Sequence, residues 1–101
     1  MALAFRRRQL HRVQGHSMRP TLVEGSLVVV CACGTDRVRP GDVVVARHPY
    51  RGVHVVKRVA AIGAEGRLWL VGDAGDGSTD SRAFGAVPPE RLVGRVTAVL
   101  R

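Results

Sequence analysis

Two short stretches of the chain hold residues that could do chemistry. The first is Gly15-His16-Ser17-Met18-Arg19-Pro20-Thr21-Leu22. A serine flanked by glycine and proline sits on a constrained turn, with its hydroxyl open to one side. Such a hydroxyl attacks a carbonyl when a base within hydrogen-bond reach takes its proton, and its own N–H can help hold the oxyanion that forms. His16 is a poor base for Ser17, because neighbours in sequence point apart. Lys57, His48 and His54 are the candidates that remain.

Lys57 lies in the second stretch, Val53–Ile62, and is the only lysine among 16 lysines and arginines. The stretch reads as a strand, and a strand alternates its faces. Val53, Val55, Lys57, Val59 and Ala61 then share one side. An ammonium among four apolar neighbours loses hydration, and its pKa falls below the usual value of about 10.4. The neutral amine is a general base. A lysine at a strand edge can instead extend its amine to water along its own stem. The strand by itself leaves both readings open.

The elements around these residues read as strands and turns. Leu27–Cys33 is a β-branched run between Glu24-Gly25 and Gly34. Arg39-Pro40-Gly41-Asp42 is a turn, followed by a strand over Asp42–His48 and another turn at Tyr50-Arg51-Gly52. After the Val53–Ile62 strand, Gly63–Gly66 leads into Arg67–Val71. Gly72–Ser81 is rich in Gly, Asp, Ser and Thr and reads as a loop. Pro88–Arg91 suits a short helical turn, and Arg91–Leu100 a closing strand. Only the first dozen residues carry any helical periodicity. The expected fold is all-β: one small domain of short, mostly antiparallel strands in a barrel-like folded sheet. Residues 1–14 read as a basic N-terminal segment and residues 15–101 as the domain that carries the chemistry.

Composition narrows the function. The 101 residues make one domain, with 46% hydrophobic and 24% charged residues. The net charge is +8, but the arginines are scattered apart from Arg6, Arg7, Arg8 and Arg12, and only 4% of residues are aromatic. Bases would find few stacking platforms, so nucleic acid is not an expected partner. The longest apolar run, Leu27–Ala32, is far short of the roughly 20 residues that span a bilayer, so no transmembrane anchor is expected. Nor does the start, MALAFRRRQLHRV, contain the apolar core of a secretory signal. Cys31 and Cys33 form no disulfide framework and lack the further ligands of a zinc site, so they read as buried thiols in a reducing cytoplasm. Asp73, Asp76 and Asp80 do not follow calcium-loop spacing, and no metal or cofactor is expected.

Four blocks in order resemble the type I signal peptidase superfamily of Ser/Lys proteases. They are Gly15–Leu22, Arg39–Ala46 (RPGDVVVA), Val55–Val59 (VVKRV) and Gly72–Gly85 (GDAGDGSTDSRAFG). The resemblance implies that Ser17 is the nucleophile and Lys57 the general base. It also implies that Ser78 orients the lysine amine and that Asp80 and Arg82 form a supporting ion pair. Two positions depart from the pattern. Gly15 stands where many members carry a hydroxyl residue that serves as a second oxyanion donor. Ala74 stands where the "G-D-N" block has asparagine. Within the superfamily, the short arginine-rich chain is most similar to the proteases that mature nickel-type superoxide dismutase. That likeness implies a cytoplasmic endopeptidase whose partner is a precursor with a cleavable N-terminal leader, the superoxide dismutase precursor. Two alternatives stand beside it: a general signal peptidase I-like enzyme lacking its membrane anchor, and a non-catalytic or self-cleaving regulator with a related β-fold.

Overall fold

The computed structural model of the chain describes residues 7–75 and 79–100. It is all-β. Six strands form one antiparallel sheet: β1 (Arg8–Arg12), β2 (Leu27–Ala32), β3 (Val43–Arg47), β4 (His54–Ile62), β5 (Leu68–Val71) and β6 (Leu92–Leu100). Their spatial order is β1-β2-β6-β3-β4-β5. The one α-helix among the described residues, α1 (Ser81–Phe84), is a single turn packed against β5. Single 3-10 turns at Thr35–Arg37, Ala64–Gly66 and Pro89–Arg91 link the strands.

The strands form where β-branched runs meet turn signals, and the middle of the sheet is buried on both faces. β3 shows this best. Its consecutive Val44, Val45 and Ala46 are all fully buried, as a strand covered on both sides requires. Val44 and Ala46 join Val38, Val59, Leu68, Leu70, Phe84 and Val87 on one face. Val45 joins Val13, Met18, Leu22, Val28 and Val30 on the other. Two small cores thus share one sheet. Both adjoin the stretches singled out above: Met18 and Leu22 follow Ser17 in the same loop, and Val59 is two residues from Lys57.

Three expectations need correction. The helical periodicity of the first dozen residues gives way to strand: Arg8–Arg12 pairs antiparallel with Leu27–Cys31 as an edge of the sheet. Five residues are too few for a helix to hold without tertiary support, and the exposed edge of β2 offers a full ladder of backbone partners. The apolar face expected around Lys57 is shorter than the alternation suggested. Val53, ahead of β4, is exposed, and a bulge between Val59 and Ala61 breaks the alternation and leaves Ala61 exposed as well. Cys31 and Cys33 are half-buried rather than buried.

Candidate active site

The turn that carries Ser17 is held at both ends. Val13 N–H donates to the Ser26 carbonyl, and Gly25 N–H returns a bond to the Val13 carbonyl, each at 2.8 Å. These bonds close the segment from 13 to 26 into a loop. Met18 and Leu22, four residues apart, drive the loop into the core, and Leu22 N–H donates to the Met18 carbonyl at 2.9 Å. Gly15 adopts φ +80, a conformation that costs other residues a steric penalty. Its N–H is bound to the Glu24 carboxylate at 2.8 Å. Position 15 therefore offers neither a hydroxyl nor an unengaged N–H to an oxyanion.

Lys57 sits mid-strand in β4, opposite Val44 of β3 and two residues from Val59. Its relative exposure is 4%. Burial pushes the ammonium pKa down; the nearby Asp80 carboxylate opposes this, and the Arg82 guanidinium adds to it. Desolvation is the largest of the three effects, as expected for an amine placed among valines with no direct ion pair among the described residues. Of the two readings left open by the strand, the buried amine is the one observed.

Ser17 and Lys57 border the same cleft, a space of about 340 Å³ between the loop after β1 and the start of β4. Val45, Val55 and Val56 line its floor and sides, and His11, Arg12, Gln14 and His54 supply its polar groups. Both residues are among those described, and no hydrogen bond joins Oγ of Ser17 to Nζ of Lys57. Of the other candidate bases, His54 borders the cleft and His48 does not. His48 is buried and packs edge-on against Phe84, and its Nδ1 accepts the backbone N–H groups of Tyr50 and Arg51 at 3.0 and 3.1 Å. It is committed to the β3–β4 hairpin.

The loop after β5 braces both residues. Asp80 is fully buried; its carboxylate takes two side-chain bonds from Arg82, at 2.7 and 3.0 Å, and the N–H of Gly72 at 2.9 Å. It also caps α1 by accepting the N–H of Arg82 at 3.1 Å. The Arg82 bonds, helped by the two backbone donors, outweigh burial and hold the Asp80 pKa down at about 2. Ser78, expected to orient the lysine, lies outside the described residues.

A second brace was not read from the sequence. Arg58 forks onto Asp73 with bonds of 2.8 and 2.7 Å, and Asp73 also accepts the Thr21 hydroxyl at 2.5 Å. Ala74 N–H donates to the carbonyl of Ser17 itself at 2.8 Å. Asp73 thus ties the turn bearing Ser17 to the residue next to Lys57. The signal was available: Asp73 is the acid of the Gly72-Asp73 pair, and Arg58 adjoins the only lysine. Weighing Asp73 only as a calcium ligand hid it. Among the described residues, no three His, Cys, Asp or Glu side chains are placed to hold a metal.

The chain is thus a small antiparallel β-domain in which a serine on a braced turn and a buried lysine on a neighbouring strand border one cleft. The chain matches the family described as signal peptidase, peptidase S26, over residues 3–65 and 64–100, and it belongs to that family. It is also 30% identical to mitochondrial inner membrane protease subunit 1 of Xenopus tropicalis, over 81% of this chain and 62% of that relative. The chain therefore spans less than two thirds of that relative's length. No helix among the described residues is long and apolar enough to cross a membrane.

Proposed function

We propose that this chain is a serine endopeptidase in which Ser17 is the nucleophile and Lys57 the general base, and that it removes the N-terminal leader of a precursor protein. The observation that carries the reading is the shared cleft: a buried amine with a lowered pKa and a serine on a rigid turn open onto the same space. Neutral Lys57 takes the proton of Ser17 as Oγ attacks the scissile carbonyl carbon. The lysine then returns a proton to the leaving amine, and an acyl-enzyme ester forms. Water, deprotonated by the same amine, hydrolyses the ester and releases Ser17. The absent direct Oγ–Nζ bond fits a site whose hydrogen bonds tighten when substrate binds. With Gly15 unable to help, the Ser17 N–H is the donor assigned to the oxyanion. Asp80, Arg82 and Ser78 serve as supports.

The substrate proposed is the nickel-type superoxide dismutase precursor, cleaved in the cytoplasm. That assignment rests on the likeness of the short, arginine-rich chain to the proteases that mature it. The family match favours a second substrate class, secretory precursors cut by a general signal peptidase-like enzyme. The test is to incubate the protein with each precursor and read the new N-terminus by mass spectrometry. The expected result is a single cut in the superoxide dismutase precursor, abolished by Ser17→Ala and by Lys57→Ala. Cleavage of the secretory precursor alone reassigns the substrate. Cleavage that persists in Lys57→Ala but disappears in His54→Ala overturns the Ser/Lys mechanism.

A further inference from the structure

The cleft holds a second cluster of functional groups that the chemistry at Ser17 does not use. His11 of β1 and His54 of β4 meet with ring centroids 5.3 Å apart and planes inclined at 50°. In the sheet these strands are separated by β2, β6 and β3, so the contact exists only because the sheet curls. The register puts His11 opposite Val28, on the face whose core contains Val28, Val30 and Val45. Strand alternation puts His54 on the same side as Val56, which packs against that core. Gln9 Oε1 lies 3.0 Å from His11 Nε2 and orients that ring. Arg12 borders the cleft beside them, its Nη1–H donating to the Gly25 carbonyl at 2.9 Å.

The chemistry of this end of the cleft is one-sided. Two imidazoles, a guanidinium and the Gln14 amide line it, and no carboxylate does so among the described residues. The histidines lack the third ligand that a metal site would draw from His, Cys, Asp or Glu among those residues. An anionic group entering here meets N–H donors from two strands, and those of the Arg12 guanidinium are charge-assisted, the strong kind. His54 precedes Lys57 by three residues on β4; alternation turns their side chains to opposite faces, the cleft reaches both, and their backbones lie about 10 Å apart along the strand. An extended peptide with its cut bond at Lys57 covers that distance in about three residues.

We infer that His11, His54 and Arg12 recognise an acidic side chain of the substrate about three residues from the bond that is cut. The inference rests on the protease reading of Ser17 and Lys57. It narrows the substrate to leaders or mature ends with Asp or Glu at that spacing.

The probes are fluorescein-labelled alanine–serine dodecapeptides carrying one Glu walked through every position, each matched by a Gln control. Binding is measured by anisotropy with the Ser17→Ala protein, and cleavage by mass spectrometry with the intact protein. The expected result is one position at which Glu is favoured over Gln by about fivefold. In Arg12→Gln and His54→Gln that ratio falls to about one. Both side chains are exposed, so these substitutions leave the cores intact. Absence of preference at every position overturns the inference, as does a preference that survives both substitutions. Cleavage without preference leaves the protease reading standing and removes the acidic site. Preferential binding without cleavage of any peptide does the reverse. If no peptide binds and none is cleaved, both are overturned.

Discussion

At the scale of single residues, the proposed site depends on one amine whose pKa burial lowers and on one aspartate that fixes the spacing. Lys57→Met keeps the stem and removes the base. Cleavage should fall about a thousandfold, with KM much less affected, as read from kcat and KM on the same peptide. Asp73 touches no reacting atom in this account. It positions Ser17 and Lys57 by holding Thr21 and Arg58 together. Asp73→Asn should lower kcat about tenfold by loosening the turn against β4. Thr21→Val should lower it less, because the Arg58 fork survives. A double-mutant cycle between Arg58 and Asp73 should give a coupling of about 1 kcal/mol in stability, since the pair is bidentate and mostly shielded from water. Loss of stability in Asp73→Asn without loss of kcat in the folded fraction would reduce it to a purely structural role.

Among the elements, β6 passes β2 too closely at Gly94 to admit a side chain. A Cβ on Gly94 would lie 2.4 Å from the Cys31 carbonyl oxygen and 2.9 Å from Val30 Cγ1. Backbone cannot yield there as a side-chain tip can. Gly94→Ala should cost about 3 kcal/mol, seen as a shift of the urea midpoint. An unchanged midpoint would mean that the strands can separate at little cost. This glycine could not be singled out from the sequence, where it is one of 12. The strands themselves were legible, because β-branched runs between Pro-Gly and Gly-rich turns leave little choice. β2, β3, β4, β5 and β6 all begin and end within a residue of their expected limits. β1 was not legible: RQLHR carries no alternation of its own, and becomes a strand because β2 presents an open edge. The same gap hid the recognition cluster. His11 reaches His54 only through the curl of five strands, which local pattern cannot express. That Ser17 and Lys57 border one cleft was within reach of the sequence, where Lys57 is the only lysine and Ser17 sits on a turn between Gly15 and Pro20.

For the whole molecule, charge and pH provide the tests. His48 is buried as the neutral imidazole, its pKa pushed below 6.5 first by burial and then by Arg51 and Lys57. Below pH 6.5 the unfolded chain binds this proton and the folded chain resists it, so stability is complete above 6.5 and declines as the medium is acidified. Asp80 acts lower on the scale. Its pKa falls from 3.8 unfolded to about 2 folded, so it contributes about 2 kcal/mol above 3.8 that is lost as the pH drops toward 2. Urea denaturation between pH 8 and pH 2.5 should show two declines, and His48→Gln should flatten the first. A single decline confined to the acid end would contradict the account of His48.

The central claim is that Lys57 holds a neutral amine ready beside Ser17, and the sequence allows a clean test. Because Lys57 is the only lysine, protein labelled with 13C at lysine Cε gives one side-chain NMR signal to titrate. The account predicts a midpoint clearly below the usual value of about 10.4, so that a usable fraction of the amine is neutral near physiological pH. A midpoint at or above that value would show a solvated ammonium, and the base of the proposed reaction would be gone.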